Sequence, residues 1–330
     1  MRFSAKNLVV NKSTLVIFEG KMIRTILRDI SPGKGIVATL LLASIGFLTF
    51  MFLGVIVVAA LSGSWDVESV TASGHEGPLG LNAIRILQMF QTTGLFIFPS
   101  LVVAFLASSS MSQFLGLKAV PLRMLLLSVL MMVVFIPGIN LIASLNAMLP
   151  MPEWMDRMEE SAGKLIKSLL VTDSPRVFYF NLMVVAVLPA IGEELLFRGV
   201  LQKYFCKLTG NVLWGVVVTS LIFSAIHLQF HGFVPRFLLG MVFGYLYVWT
   251  GSILTPILVH FANNGLAVYA YYLIGKGSIP METETIGNVS DYWQLGLFSL
   301  GLSSILLWAI WRGRVTSQGQ PSPAQASEGP

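Results

Sequence analysis

The sequence is poor in charge. Only 11% of its 330 residues are Asp, Glu, Lys or Arg, against about 25% in an ordinary soluble domain. So little polar surface cannot coat a soluble particle, and a hydrophobic fraction of 55% with mean hydropathy +0.77 predicts a membrane protein. Cysteine is nearly absent: Cys206 stands alone, which excludes an internal disulfide and a cysteine metal cluster. The net charge of +5 is not gathered into one patch, because the basic residues sit at the edges of apolar runs. That arrangement speaks against nucleic acid as a partner and for a lipid bilayer.

What is present is a series of long apolar stretches. A membrane-spanning helix needs ~20 mostly apolar residues. Runs of this kind cover Ile36 to Leu61, Ala83 to Ala107, Leu122 to Ala147 (with Pro137 as an expected kink), and Val177 to beyond Pro189. Others cover Val212 to Phe230, Phe237 to Trp249, Ile253 to Ile274 and Leu295 to Trp311. The expected fold class is therefore all-α, a polytopic transmembrane helical bundle of about eight spans.

Basic residues test that topology. One side collects seven before Ile36, then Lys118, Arg123, Lys203, Lys207, Arg312 and Arg314. The other side holds six: Arg157, Lys164, Lys167, Arg176, Arg236 and Lys276. The positive-inside rule then places both termini in the cytoplasm. The loop from Ser62 to Asn82 carries Asp66, Glu68 and Glu76 and no basic residue, as an external loop should.

The organisation read from these runs starts with a basic cytoplasmic segment over 1–35. Transmembrane helices and an external amphipathic stretch over 36–175 follow, then a core over 176–275. An external loop and the last span occupy 276–314, and a Ser-, Pro- and Gln-rich cytoplasmic tail over 315–330 is expected to be disordered. The N-terminus is polar and its first apolar run is too long for a signal peptide's apolar region, so no cleaved signal is expected. Between Met151 and Val171, Trp154, Met158, Leu165, Ile166 and Leu169 stand among charges. This reads as a helix lying on the external interface or as an ordinary structured loop. Gly240 and Gly244 form a GxxxG pair, read as helix packing.

Ionisable groups inside membrane spans are costly and mark functional sites by default. Here they cluster in three short motifs on three different runs: Glu193-Glu194-x-x-x-Arg198, Phe223-x-x-x-His227 and His260-x-x-x-Asn264. Glu194 and Arg198, four apart, share a helix face and can pair. Glu193 is rotated about 100° away and can point into a cavity. With His227 from another helix it could hold a water for attack on a peptide carbonyl. His260 and Asn264, also four apart, could donate to the oxyanion that forms. The packing alternative stays open for each element. A Glu-Glu-x-x-x-Arg sequence is often an ion-paired packing device, a single buried His is often a satisfied donor, and Phe223 reads as packing support. His231 reads as structural, and His75 as a solvated bystander.

At these residues the sequence resembles the CPBP intramembrane protease family, also called the Abi or CAAX-protease family. All three family motifs stand here in order, within roughly Val177 to Ile274. The resemblance implies a helical membrane core enclosing a hydrolytic cavity. It implies Glu193 and His227 as the water-activating pair and His260 and Asn264 as oxyanion partners, with Glu194, Arg198 and Phe223 in support. No cofactor is expected; the alternative is Zn2+ held by Glu193, His227 and His260, although the sequence has no H-E-x-x-H.

The expected activity is thus that of an intramembrane endopeptidase. Its substrate would be a protein or peptide reaching the site from the membrane or cytoplasm, and its setting a bacterial inner (plasma) membrane. A non-enzymatic immunity or scaffold protein with the same fold, or less plainly a proton-coupled transporter, remain the competing readings.

Overall fold

The structure, a computed structural model, describes residues 26–66 and 79–314. His75, Glu68, Glu76, the tail 315–330 and most of the basic N-terminal segment lie outside the described residues. Among the described residues every regular element is a helix. Seven of them are long and apolar enough, by length and composition, to cross a membrane. In chain order the helices are α1 (Pro32–Ser62), α2 (Leu81–Ala107), α3 (Met111–Leu115), α4 (Leu122–Ala147), α5 (Glu153–Leu170), α6 (Pro175–Thr209), α7 (Val212–Ala225), α8 (Phe233–Thr250), α9 (Leu254–Gly275) and α10 (Trp293–Arg312). The fifth expected run, Val212 to Phe230, is α7, an apolar helix of 14 residues that ends at Ala225.

The helix ends follow local chemistry. Pro32 opens α1, where its missing N–H costs nothing, and Gly63 closes it in the left-handed conformation at φ 72°. Gly210, at φ 63°, ends α6 in the same way. The Asn211 side chain then caps α7, accepting from the backbone N–H groups of Leu213 and Trp214. Pro137 does sit inside α4, and a hydroxyl from α10 repairs the ladder there. Ser299 Oγ accepts from the Gly138 N–H at 2.9 Å and donates to the Val134 carbonyl at 2.5 Å. This insertion is how a spanning helix tolerates proline, and it docks α10 along α4.

Two apolar cores hold the bundle together. One joins α4, α8, α9 and α10 through Met131, Met132, Phe243, Leu246, Val259 and Ile310. The other joins α2, α3, α6 and α9 through Val103, Leu115, Leu195, Val200 and Ile253. The GxxxG pair is a packing device as expected. A Cβ on Gly240 would lie 2.9 Å from Ser220 Cβ, and one on Gly244 2.8 Å from Val216, so α7 and α8 approach closely.

Helix α5 is a full helix rather than a loop. Its outer surface exposes Trp154, Met158, Leu165 and Ile166. Its C-terminal end is tied down by Arg85, a residue that the topology reading left uncounted. Arg85 is buried and donates to Asn181 Oδ1 (2.7 Å), Asn82 Oδ1 (2.9 Å) and the Leu169 carbonyl (2.6 Å). These bonds join the starts of α2 and α6 to the end of α5.

Candidate functional site

Helix α6 is interrupted by two π turns, Leu182–Val187 and Leu195–Leu201, with Glu193 and Glu194 on the α-helical stretch between them. π turns recur at functional sites because they re-aim side chains and free backbone groups from the regular ladder. Residues Gly192 to Gln202 are all buried, so this half of α6 is sheathed by other helices rather than by lipid. Burial in protein is what makes two carboxylates and a guanidinium tolerable at this depth.

The Glu194–Arg198 pair forms as the spacing predicts. Arg198 Nη1 donates to Glu194 Oε1 at 2.9 Å, and both side chains have zero exposure. The second arm of the guanidinium, Nη2, donates to the Gly240 carbonyl at 3.1 Å. One turn on, Gln202 Nε2 donates to the Gly244 carbonyl at 3.2 Å. The glycine pair of α8 thus presents bare backbone to two side chains of α6. The guanidinium carbon also lies 4.7 Å from the Phe223 ring centroid and 5.4 Å from that of Phe243, a doubly cation–π seat.

His260 is the centre of the cluster. Its Nδ1 lies 2.9 Å from Glu194 Oε1, and its Nε2 faces Glu193 Oε2 at 3.9 Å. The carboxylate shared with Arg198 can only accept, so Nδ1 carries a proton. Sequence spacing led us to expect His260 beside Asn264 as an oxyanion donor and Glu193 turned away from Glu194. Instead both glutamates converge on His260. Glu194 is sealed, while Glu193 keeps 11% side-chain exposure. The His260 ring is stacked on Phe243 at 5.0 Å, which fixes its plane.

His227 lies beyond the end of α7, on a turn in which Leu228 adopts φ 52°. Its Nδ1 lies 2.8 Å from the Phe223 carbonyl. A carbonyl accepts, so Nδ1 is protonated and Nε2 keeps its lone pair in the neutral ring. The Phe223 ring contacts His227 edge-on at 5.2 Å and His260 at 6.2 Å. Phe223 is therefore the wall shared by both histidines and Arg198. Because α7 ends early, the chain turns back at His227.

Asn264 stands one turn after His260 but bonds elsewhere. Its Nδ2 donates to the Val185 carbonyl in the first π turn at 3.0 Å, and its Oδ1 accepts from Asn263 at 3.0 Å. One of its two amide hydrogens remains for another acceptor. Arg236 was counted as a loop residue. It sits instead in the first turn of α8, bonded to Gln229. Its closeness to the motifs in sequence, nine residues after His227, was the available signal. His231 has the structural role expected: its Nε2 pairs with Asp156 Oδ1 at 2.9 Å.

The zinc alternative would draw on Glu193, His227 and His260. Among the described residues no group of three or more His, Cys, Asp and Glu is placed to hold a metal ion. His260 Nδ1 is already committed to Glu194 and its Nε2 faces Glu193.

Comparison with known proteins agrees with the motif reading. The family model described as Type II CAAX prenyl endopeptidase Rce1-like matches residues 175–266, which contain all three motifs. The chain is 28% identical over 123 residues to the membrane-embedded CAAX protease MroQ of Staphylococcus aureus (strain USA300), covering 36% of this chain and 48% of that protein. It is 31% identical over 91 residues to the uncharacterized protein YpbD of Bacillus subtilis (strain 168), covering 26% and 41%. An uncharacterized 24.3 kDa protein of Escherichia coli is 31% identical over 84 residues, covering 24% and 39%. The matched stretch spans less than half of each of these relatives. No solved structure matches. With seven long apolar helices, the chain is an integral multi-pass membrane protein similar, over its core, to CAAX proteases.

Proposed function

We propose that this protein is an intramembrane endopeptidase that hydrolyses peptide bonds of a protein or peptide substrate with a glutamate-activated water and no metal. Glu193 is the general base, and His227, through its free Nε2, shares the water. Glu194 and Arg198 hold His260 in place, and His260, in its doubly protonated form, donates from Nε2 to the scissile carbonyl oxygen together with the spare Asn264 N–H. The observation that carries this reading is the division of labour between the glutamates. One is sealed against Arg198 and His260, and the other faces the same histidine and keeps some side-chain exposure. A structural ion pair needs only the first. Proton transfer by a positioned carboxylate contributes ~10²–10⁴-fold, and preorganised donors to the oxyanion a comparable amount. The match of residues 175–266 to an endopeptidase family supports the same reaction class.

The chain is further proposed to sit in a bacterial plasma membrane with both termini cytoplasmic, on the basic-residue asymmetry. Its substrate enters from the membrane or the cytoplasm.

The test is cleavage of a quenched-fluorescent peptide pool by purified protein in detergent, alongside Glu193→Ala and a chelator-treated sample. Cleavage that disappears in Glu193→Ala and persists with chelator is the expected result. Full-rate cleavage by Glu193→Ala refutes the assignment, and loss with chelator that zinc restores replaces it with metal chemistry.

A further inference from the structure

The loop that carries His227 is held from outside the motif region. It runs from the end of α7 to the start of α8, over 226–232. Leu228 lies in a left-handed conformation that a branched-chain residue rarely adopts, so the loop does not take this shape by local preference. What over-determines the shape comes from three helices. Asn146, near the end of α4, donates to two consecutive carbonyls, Phe230 at 2.8 Å and His231 at 2.6 Å. Arg236 of α8 donates to the carbonyl and the side chain of Gln229. Asp156 of α5 pairs with His231, and Glu159, also on α5, accepts from the His231 backbone N–H at 3.4 Å. Trp154 of α5 packs edge-to-face on Phe230 at 5.4 Å.

Helix α5 spends the first half of its length on this loop. Three of its first seven residues, Trp154, Asp156 and Glu159, reach it. Its far end is anchored independently by Arg85 and Asn181 on the Leu169 carbonyl and by Lys167 pairing with Glu284 at 3.4 Å. The helix is therefore fixed at one end to the bundle and at the other to the turn that aims His227. His227 is held to α7 by its Nδ1 on the Phe223 carbonyl and its backbone N–H on the Ser224 carbonyl, and the chain leaving it runs directly into the segment that α5 holds.

We propose that α5 is a clamp on the His227 turn, and that Asp156 and Trp154 are positioning residues whose release swings His227 away from Glu193. The proposal rests on the reading of His227 as a site residue, and it makes the interfacial helix a regulatory element of that site. Anything that lifts α5 from the bundle surface switches the protein off without touching a motif residue.

The experiment compares wild type, Asp156→Ala, Trp154→Ala, the double variant, Asp156→Glu and Glu193→Ala. Lys164→Ala serves as a control on the same helix, since Lys164 is exposed and pairs with Glu160 one turn away. Two readouts are taken: amide hydrogen exchange of residues 226–232, and kcat and KM on the best-cleaved peptide of the pool. Expected for the double variant is faster exchange confined to that loop, by about tenfold or more. Its kcat should fall tenfold to a hundredfold, the order expected for a misplaced group, with KM nearly unchanged. Asp156→Glu should recover most of the loss, and Lys164→Ala should match wild type. The clamp is refuted if loop exchange and kcat in the double variant equal wild type while Glu193→Ala is inactive. If Glu193→Ala cleaves normally, the proteolytic reading falls. The exchange arm then decides the clamp alone, unchanged protection refuting it.

Discussion

Helices α1 and α6 are both apolar segments longer than a bilayer requires, yet they are built for opposite surroundings. Only 22% of the most apolar window of α1 is buried within the protein, against 61% for α6. Beyond Lys34 in its first turn α1 carries no charged residue, whereas α6 carries Arg176, Glu193, Glu194, Arg198, Lys203 and Lys207. Lipid offers nothing to a charge, so α1 has none. Protein offers partners, and α6 uses them: the Gly240 carbonyl, the Phe223 and Phe243 rings and His260 all serve a single ionic pair. The lesson is that hydropathy alone ranks these helices as similar, while the positions of their polar residues separate a lipid-facing wall from a chemical centre.

The largest effect that would break this comparison is on activity. Glu193→Gln and His227→Ala should each lower the cleavage rate by ~10²–10⁴-fold while the protein still purifies as a folded species. His260→Ala should lower it as far and also lose stability, because it strips Glu194 of a partner. Retention of rate in any of the three would return α6 to the status of a packing helix.

Next in size is the buried pair itself. Arg198→Met leaves Glu194 without its cation and should cost about 3–5 kcal/mol, read as a drop in detergent melting temperature. The same readout on Glu194→Gln/Arg198→Met should recover part of that loss, as removal of both charges relieves the uncompensated one. No recovery would mean that His260, not the pair, sets the stability of α6.

Smaller still is the crossing of α7 and α8. Gly244→Ala brings a methyl 2.8 Å from Val216 and 2.9 Å from Gln202 Oε1, an overpacking worth about 1–3 kcal/mol. On α1, Leu48 is 66% exposed, and Leu48→Ala exchanges one apolar surface for another. It should leave the melting temperature unmoved; a clear shift would show that α1 faces protein rather than lipid.

Much of the architecture was legible in advance. Helix α4 has the bounds of its apolar run because Pro121 and the polar residues after Ala147 delimit it. Helix α7 was read five residues too long, since Ile226, Leu228 and Phe230 continue the apolar pattern while the backbone turns under tertiary control from Asn146 and Arg236. The three motifs named the residues that cluster, but not how they pair. Four-residue spacing joined Glu194 to Arg198 correctly, and it also suggested that His260 and Asn264 share one target. What the spacing did not show is that one Asn264 amide hydrogen is spent on a carbonyl in a π turn, which no composition signal announces. The contribution of α5 was equally hidden: Asp156 and His231 are 75 residues apart, and only the folded chain brings them together.

The two π turns of α6 have one more consequence, which concerns phase. Each inserts a residue into the helical count, advancing everything after it by about 100° relative to an unbroken α-helix. Asn181, just before the first turn, and Gln202, just after the second, are therefore registered to their neighbours through two phase steps, with the glutamates between them. Removing one residue from Leu182–Val187 would leave an apolar helix of unaltered hydropathy and nearly unaltered length. It would rotate the glutamates off His260 while Asn181 stayed on Arg85. The site is keyed to an insertion count, and a substitution scan would pass over it where a single deletion would find it.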